Sequence, residues 1–194
     1  MSANTASAAR RYSPGLSAGH MSDQINAKSF RLAPMSPLIL TATLLFLVAP
    51  PALLVGALFG RPQLGAAALL VLAIDVWVWL RFRPSRFTVD GSGLEVIWPL
   101  KRRYLPRESI AKARVIDRQG LKREIGWGVR VGAGGIWGAF GWLWTKQRGV
   151  VQMYISRSDG FVWIERTGAR PWLLTPEKPE EFARALIVKP FLAR

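Results

Sequence analysis

Two hydrophobic periods divide the chain. From Pro37 to Phe59 it reads PLILTATLLFLVAPPALLVGALF, 23 residues without a charge. At about 1.5 Å rise per residue, a helix of that length spans about 34 Å, enough for a bilayer core. Pro50 and Pro51 interrupt the run. A proline pair removes backbone donors, so the pattern predicts a kinked span in preference to a re-entrant loop. Gly60-Arg61-Pro62-Gln63 reads as a short turn. Leu64 to Phe82 (LGAAALLVLAIDVWVWLRF) then reads as a second span, with Asp75 the one charge in its first 17 residues. Trp77, Trp79 and Phe82 gather at its end, where an interfacial aromatic belt belongs, and Arg81, Arg83 and Arg86 follow. Residues 37–82 are therefore expected to form a transmembrane helical hairpin. A cleaved signal peptide fits the first span less well, since Pro-Pro stands where a small-residue cleavage site belongs.

From Arg86 onward the period falls to two. Arg86–Asp90, Leu94–Trp98, Lys101–Pro106 and Ala113–Asp117 read as strands joined by Gly- and Pro-containing turns, an antiparallel meander. Residues 119–148 are dominated by glycine and tryptophan and yield no clear element. Gly149–Ser156 and Phe161–Thr167 read as two strands of a hairpin around Ser158-Asp159-Gly160, and Arg170–Leu174 as a last strand. Thr175 is the expected N-cap of a closing helix, with Pro176 at its first position and acids in its first turn. Phe182, Ala185 and Leu186 then share one apolar face. The expectation is about seven short strands and one C-terminal helix.

This arrangement resembles the bacterial pleckstrin-homology-like (PH-like) domain, in particular membrane proteins with two N-terminal spans ahead of such a domain. The residues that carry the resemblance are Phe87-Thr88-Val89 with Gly93-Leu94, Ile110, Gly138-Ala139-Phe140, Val162-Trp163-Ile164, and Leu174-Thr175-Pro176-Glu177 with Phe182. It covers about residues 81–188 together with the hairpin. It implies an all-β PH-like barrel of antiparallel strands capped by a C-terminal α-helix, and it implies no catalytic activity. The domain organisation expected is a disordered basic tail over 1–36, the hairpin over 37–82 and a cytoplasmic PH-like domain over 83–194. Met21 and Met35 are alternative starts within the tail.

Composition narrows the chemistry. The chain has no cysteine, and its one histidine is His20 in the tail. Disulfides, thiolate metal sites, cysteine nucleophiles and His-dependent triads are excluded from the domain. Gly132 and Gly134 begin a dinucleotide fingerprint, but Trp137 occupies the third glycine's place, and no phosphate loop is present. Glu180-Glu181 read as a solvated helix start. No enzyme, cofactor or metal is expected.

The formal charge is +15, and residues 81–194 carry 22 Lys+Arg against 10 Asp+Glu. The clusters are Arg81/Arg83/Arg86, Lys101-Arg102-Arg103 with Arg107, and Lys122-Arg123. They are candidate contacts for an anionic leaflet, where each juxtamembrane cation gains about 1 kcal/mol. In lipid-binding relatives the headgroup is held by basic residues of the first strands and their loop. Here that loop is Asp90-Gly91-Ser92-Gly93, without a cation, so the charge reads as general leaflet attraction. Trp127, Trp137, Phe140, Trp142 and Trp144 are a candidate hydrophobic interface, expected in the barrel core or on a self-association face more than as an exposed membrane wedge. Nucleic acid is not an expected partner.

The function expected is a non-catalytic membrane adaptor that binds protein partners or anionic lipid near the inner leaflet. The alternative is an accessory or regulatory subunit assembled through the hairpin, with Asp75 as its intramembrane polar contact. The positive-inside rule places both termini in the cytoplasm of a bacterial inner membrane, because the hairpin loop holds one arginine and both flanks hold more.

Overall fold

The structure is a computed structural model and describes residues 27–187 of the 194-residue chain. The expected disorder of residues 1–26, with His20 and Met21, lies outside the described residues. Strand β1 (Lys28–Arg31) precedes two long helices, α1 (Pro37–Leu58) and α2 (Gln63–Arg81). Both are long and apolar enough to cross a membrane, with mean hydropathies of 2.4 and 1.9. Pro50 and Pro51 lie inside α1, which continues through them as one helix. Most side chains of the pair are exposed. The buried residues are Thr43 and Pro50 in α1 and Ala68 and Asp75 in α2. Each pair is seven residues apart, two helical turns, so each helix turns one narrow face inward.

Strands β2 (Arg86–Val89), β3 (Gly93–Ile97) and β4 (Arg102–Pro106) form the expected meander. Asp90 turns β2 into β3 by accepting the Ser92 and Gly93 N–H groups and the Ser92 hydroxyl at 2.6–2.9 Å. A short 3₁₀ turn, Arg107–Ser109, leads into β5 (Ile110–Ile116).

Over its described part, from Lys28 on, strand β1 corrects the expectation of a disordered tail over 1–36. It pairs antiparallel with β2, setting Phe30 opposite Phe87 and Arg31 opposite Arg86. Phe30 is buried, its ring edge-on to Phe182 at 5.2 Å. The following residues are tied down as well. Leu32 bridges to Pro176, the Ala33 N–H donates to the Thr175 carbonyl, and the Ser36 N–H donates to the Ser156 carbonyl. Since β1 precedes the hairpin and β2 follows it, both flanks lie on the same side of any membrane the hairpin crosses.

The glycine- and tryptophan-rich middle resolves into helix α3 (Arg118–Ile125), capped by Asp117 on the Gly120 N–H, then β6 (Gly128–Gly134) and β7 (Ala139–Thr145). With β8 (Gly149–Ile155), β9 (Phe161–Arg166) and β10 (Ala169–Leu174), the described residues hold ten strands, not seven. They form a four-stranded sheet, β1-β2-β3-β4, and a six-stranded sheet, β5-β9-β10-β8-β7-β6.

Ser158-Asp159-Gly160 does not close a hairpin. Strand β10 lies between β8 and β9, antiparallel to β9 and parallel to β8, so the second sheet is mixed and not wholly antiparallel. Trp172, Leu173 and Leu174 of β10 are buried on both faces, the pattern of a central strand. Nor is Thr175 a helix cap: it is fully buried, its hydroxyl oxygen accepts the Ser156 N–H at 2.9 Å, and the closing helix α4 starts later, at Pro179–Ile187.

One core lies where the two sheets and α4 meet, built on Phe87, Leu94, Val96, Trp172, Leu174 and Phe182. A second lies on the opposite face of the larger sheet, around Val151, Met153, Trp163 and Leu173, where Leu121 and Ile125 of α3 cover it. Two sheets and a closing C-terminal helix are the PH-like arrangement the resemblance implied.

Candidate functional site

Side chains alternate along a strand, so even-numbered residues of β8 and β10 face the inter-sheet core. Tyr154 and Leu174 are covered by it. Toward the other end of these strands the same face opens into a cleft of about 950 Å³. Its walls include Arg103, Arg148, Arg166 and Arg170, with Trp142 and Trp172 among them. Each arginine comes from a different place: β4, the β7–β8 turn, the end of β9, and β10. No carboxylate lines the cleft among the described residues.

Trp172 is the buried anchor of this site. The Arg103 and Arg166 guanidiniums lie over its ring, at 4.9 and 5.4 Å from the centroid. An aromatic face offsets part of the cost of holding two cations near each other. The repulsion still registers: burial, then the charge of Arg103, lowers the pKa of Arg166. The pKa of Tyr154 is raised, because burial outweighs the nearby Arg103 cation. The Arg166 Nε is buried without a hydrogen-bond partner. Gln152 is held by donation of its amide to the Gly141 carbonyl at 2.8 Å.

Arg148 is fixed from behind. Glu124 of α3 pairs with Arg148 and with Arg114 at 2.7 Å, and Arg114 also reaches Glu165 at 3.3 Å. These bonds, that from Arg114 first, hold the Glu124 pKa below the ordinary carboxylate value. Glu124 therefore contributes stability that is complete above its unfolded pKa, near 4.5, and is lost as pH falls through the lower folded value. Glu124→Gln should cost about 1 kcal/mol at neutral pH, because its arginine partners are partly solvated. Thermal unfolding at pH 7 and pH 3 checks this, with the variant and the parent converging at the lower pH.

The three predicted cationic clusters do not form one patch. Arg81 and Arg86 are exposed, whereas Arg83 is half-buried, 5.8 Å from the centre of the Trp137 ring, its pKa lowered by burial. Lys101 lies 4.5 Å from the centre of the Trp98 ring. Arg102 points elsewhere, exposed and 3.7 Å from Glu95, while Arg103 enters the cleft. Lys122 and Arg123 lie exposed on α3, which covers the opposite face of the larger sheet. Burial, then the like charges of Arg81 and Arg103, lower the Lys101 pKa. Sequence reading missed Arg148, Arg166 and Arg170. Only Arg103 was foreseen, from its place in the Lys-Arg-Arg run.

The aromatic set also divides. Phe140 is buried in the core and Trp137 is half-buried against it. Trp127, Trp142 and Trp144 are 73%, 41% and 61% exposed, which corrects the expectation of burial in the barrel for these three. Trp142 and Trp144 stand opposite Val131 and Val129 of the edge strand β6, all four exposed. Trp137 joins the domain to the hairpin, its backbone N–H donating to the Thr43 hydroxyl at 2.9 Å. Asp75 is only 3% exposed and its carboxylate has no hydrogen-bond partner, so its own chain covers it.

No His/Cys/Asp/Glu cluster able to hold a metal occurs among the described residues. Comparison with curated proteins and with solved structures returned no match. A family model described as bacterial PH domain matches residues 85–189, more than half of the chain. By fold and by sequence, the chain belongs to the bacterial PH domain family.

Proposed function

We propose that this protein is a non-catalytic adaptor of the bacterial inner membrane, whose hairpin holds the PH domain against the cytoplasmic leaflet to bind anionic lipid or a protein partner. The observation that carries this reading is the pairing of β1 with β2 across the hairpin. It fixes both helices to the domain, so the domain stands at the membrane in a set orientation and not on a loose tether. The excess of cations in the domain, with Arg81 and Arg86 exposed at the end of α2, supports attraction to an anionic surface. Assembly into a larger complex through Asp75 has less support, because that carboxylate is turned inward.

The absence of cysteine permits a direct test. Leu100→Cys places one thiol on the exposed β3–β4 turn beside Lys101. In nanodiscs of phosphatidylcholine containing phosphatidylglycerol, a spin label there should lie nearer the lipid than in phosphatidylcholine alone. The difference should shrink as salt screens it over about 10 Å at 0.1 M. Equal depths in both discs at every ionic strength would overturn leaflet attraction. In cells the same thiol should resist a membrane-impermeant reagent, and labelling from outside would reverse the orientation.

A further inference from the structure

We infer that the cleft over Trp172 is a binding site for a phosphate group. The inference rests on reading the domain as a binding module and names the chemistry it would bind. Arg103, Arg148, Arg166 and Arg170 converge there with no acid among the lining residues. Among the described residues, Arg148 is the one of the four paired from outside, by Glu124. Arg103 and Arg166 both stack on the Trp172 ring, at 4.9 and 5.4 Å from its centroid, which brings two forked donors to one place in the cleft. A single carboxylate satisfies one guanidinium fork, whereas a phosphate presents several oxygens and up to two charges to several forks at once. The volume, about 950 Å³, is of the size that holds small ligands.

The site is not the loop expected from lipid-binding relatives. That loop, Asp90–Gly93, spends its carboxylate on its own backbone and carries no cation. The cleft instead uses β4, the β7–β8 turn and the β9–β10 hairpin. Lys101, on the turn before β4, feels the like charges of both Arg103 in the cleft and Arg81 at the end of α2. The phosphate can thus belong to a lipid headgroup or to a soluble compound, and the two sources can be separated by experiment.

The full chain is reconstituted in phosphatidylcholine nanodiscs with and without phosphatidic acid. Inorganic pyrophosphate is titrated calorimetrically into both, and lipid retained by the released protein is counted by native mass spectrometry. Saturable pyrophosphate binding without retained phosphatidic acid supports a soluble ligand. Retained phosphatidic acid that competes with pyrophosphate supports a headgroup. Arg103→Gln with Arg166→Gln should weaken binding at least about tenfold, as expected for lost charge-assisted bonds. Arg170→Gln, at the exposed lip and not over the Trp172 ring, should weaken it severalfold without disturbing the fold, whereas the pair Lys122→Gln with Arg123→Gln should leave it unchanged. No saturable binding of either probe, or equal binding by the cleft variants and the α3 pair, overturns the site. If neither probe binds while the salt-sensitive depth of the Leu100→Cys label persists, the cleft fails and leaflet attraction stands. Pyrophosphate binding without that depth change supports the cleft and overturns leaflet attraction.

Discussion

Phe30→Ala should destabilise the domain by about 3–5 kcal/mol, the usual cost of truncating a buried phenylalanine. The size of this effect is notable because Phe30 precedes the membrane hairpin, in a stretch whose neighbours Lys28, Ser29 and Arg31 are all exposed. Phe30 is the inward residue of β1, and it packs edge-on against Phe182, which also meets Phe87 at 5.7 Å. Truncation leaves a void beside the Phe182 ring and removes the apolar reason for β1 to pair. Urea unfolding of the full chain in detergent, followed by tryptophan fluorescence, measures it. Lys28→Ala is the control and should fall within about 0.5 kcal/mol of the parent. A Phe30→Ala loss below about 1 kcal/mol, far under the usual range, would mean that β1 is not part of the folded domain.

Gly138→Ala should be comparably damaging, by about 3 kcal/mol or more, from overpacking and backbone strain together. Gly138 has φ +145°, and a Cβ there would overlap the Ile155 carbonyl oxygen and meet the Phe140 ring. The carbonyl is backbone and cannot rotate away. Its neighbour Trp137 already sits at φ +63°, in the left-handed region that a bulky residue rarely adopts, while its N–H binds Thr43 of α1. The segment has no slack to absorb the change. Gly134→Ala, four residues earlier with open space around its added Cβ, should be nearly neutral. The same unfolding assay compares the two. Equal losses would show that the close approach at Gly138 is relieved at little cost.

What could be read in the sequence follows the range of the signal. The hairpin is legible because each helix is a long apolar run, and the β2–β4 meander because its strands are joined by short turns. Strand β1 is not legible. It is four residues with one inward side chain, and its partner, β2, lies beyond the whole hairpin. The turn signal in Ser158-Asp159-Gly160 is real as a chain reversal, but it carries no information on which strand comes to rest alongside. The apolar run Trp172–Leu174 claims the central place, because it can be buried on both faces. The cleft was hidden for the same reason. Its arginines stand at positions 103, 148, 166 and 170, and only the sheet order brings them together.

The β1–β2 pairing also bears on how the protein is made. In topological terms the helical hairpin is an insertion between two neighbouring strands of one sheet. The amino-terminal strand is synthesised first, yet it has no partner until both helices have been threaded and β2 has emerged. The domain is therefore completed only after both helices have been made, and the docked strand in turn locks the hairpin's two ends together. The choice of initiation site then has a structural result. Translation from Met21 retains Lys28–Arg31, whereas translation from Met35 removes it and leaves the outer edge of β2 with unpaired backbone groups, an open template for aggregation.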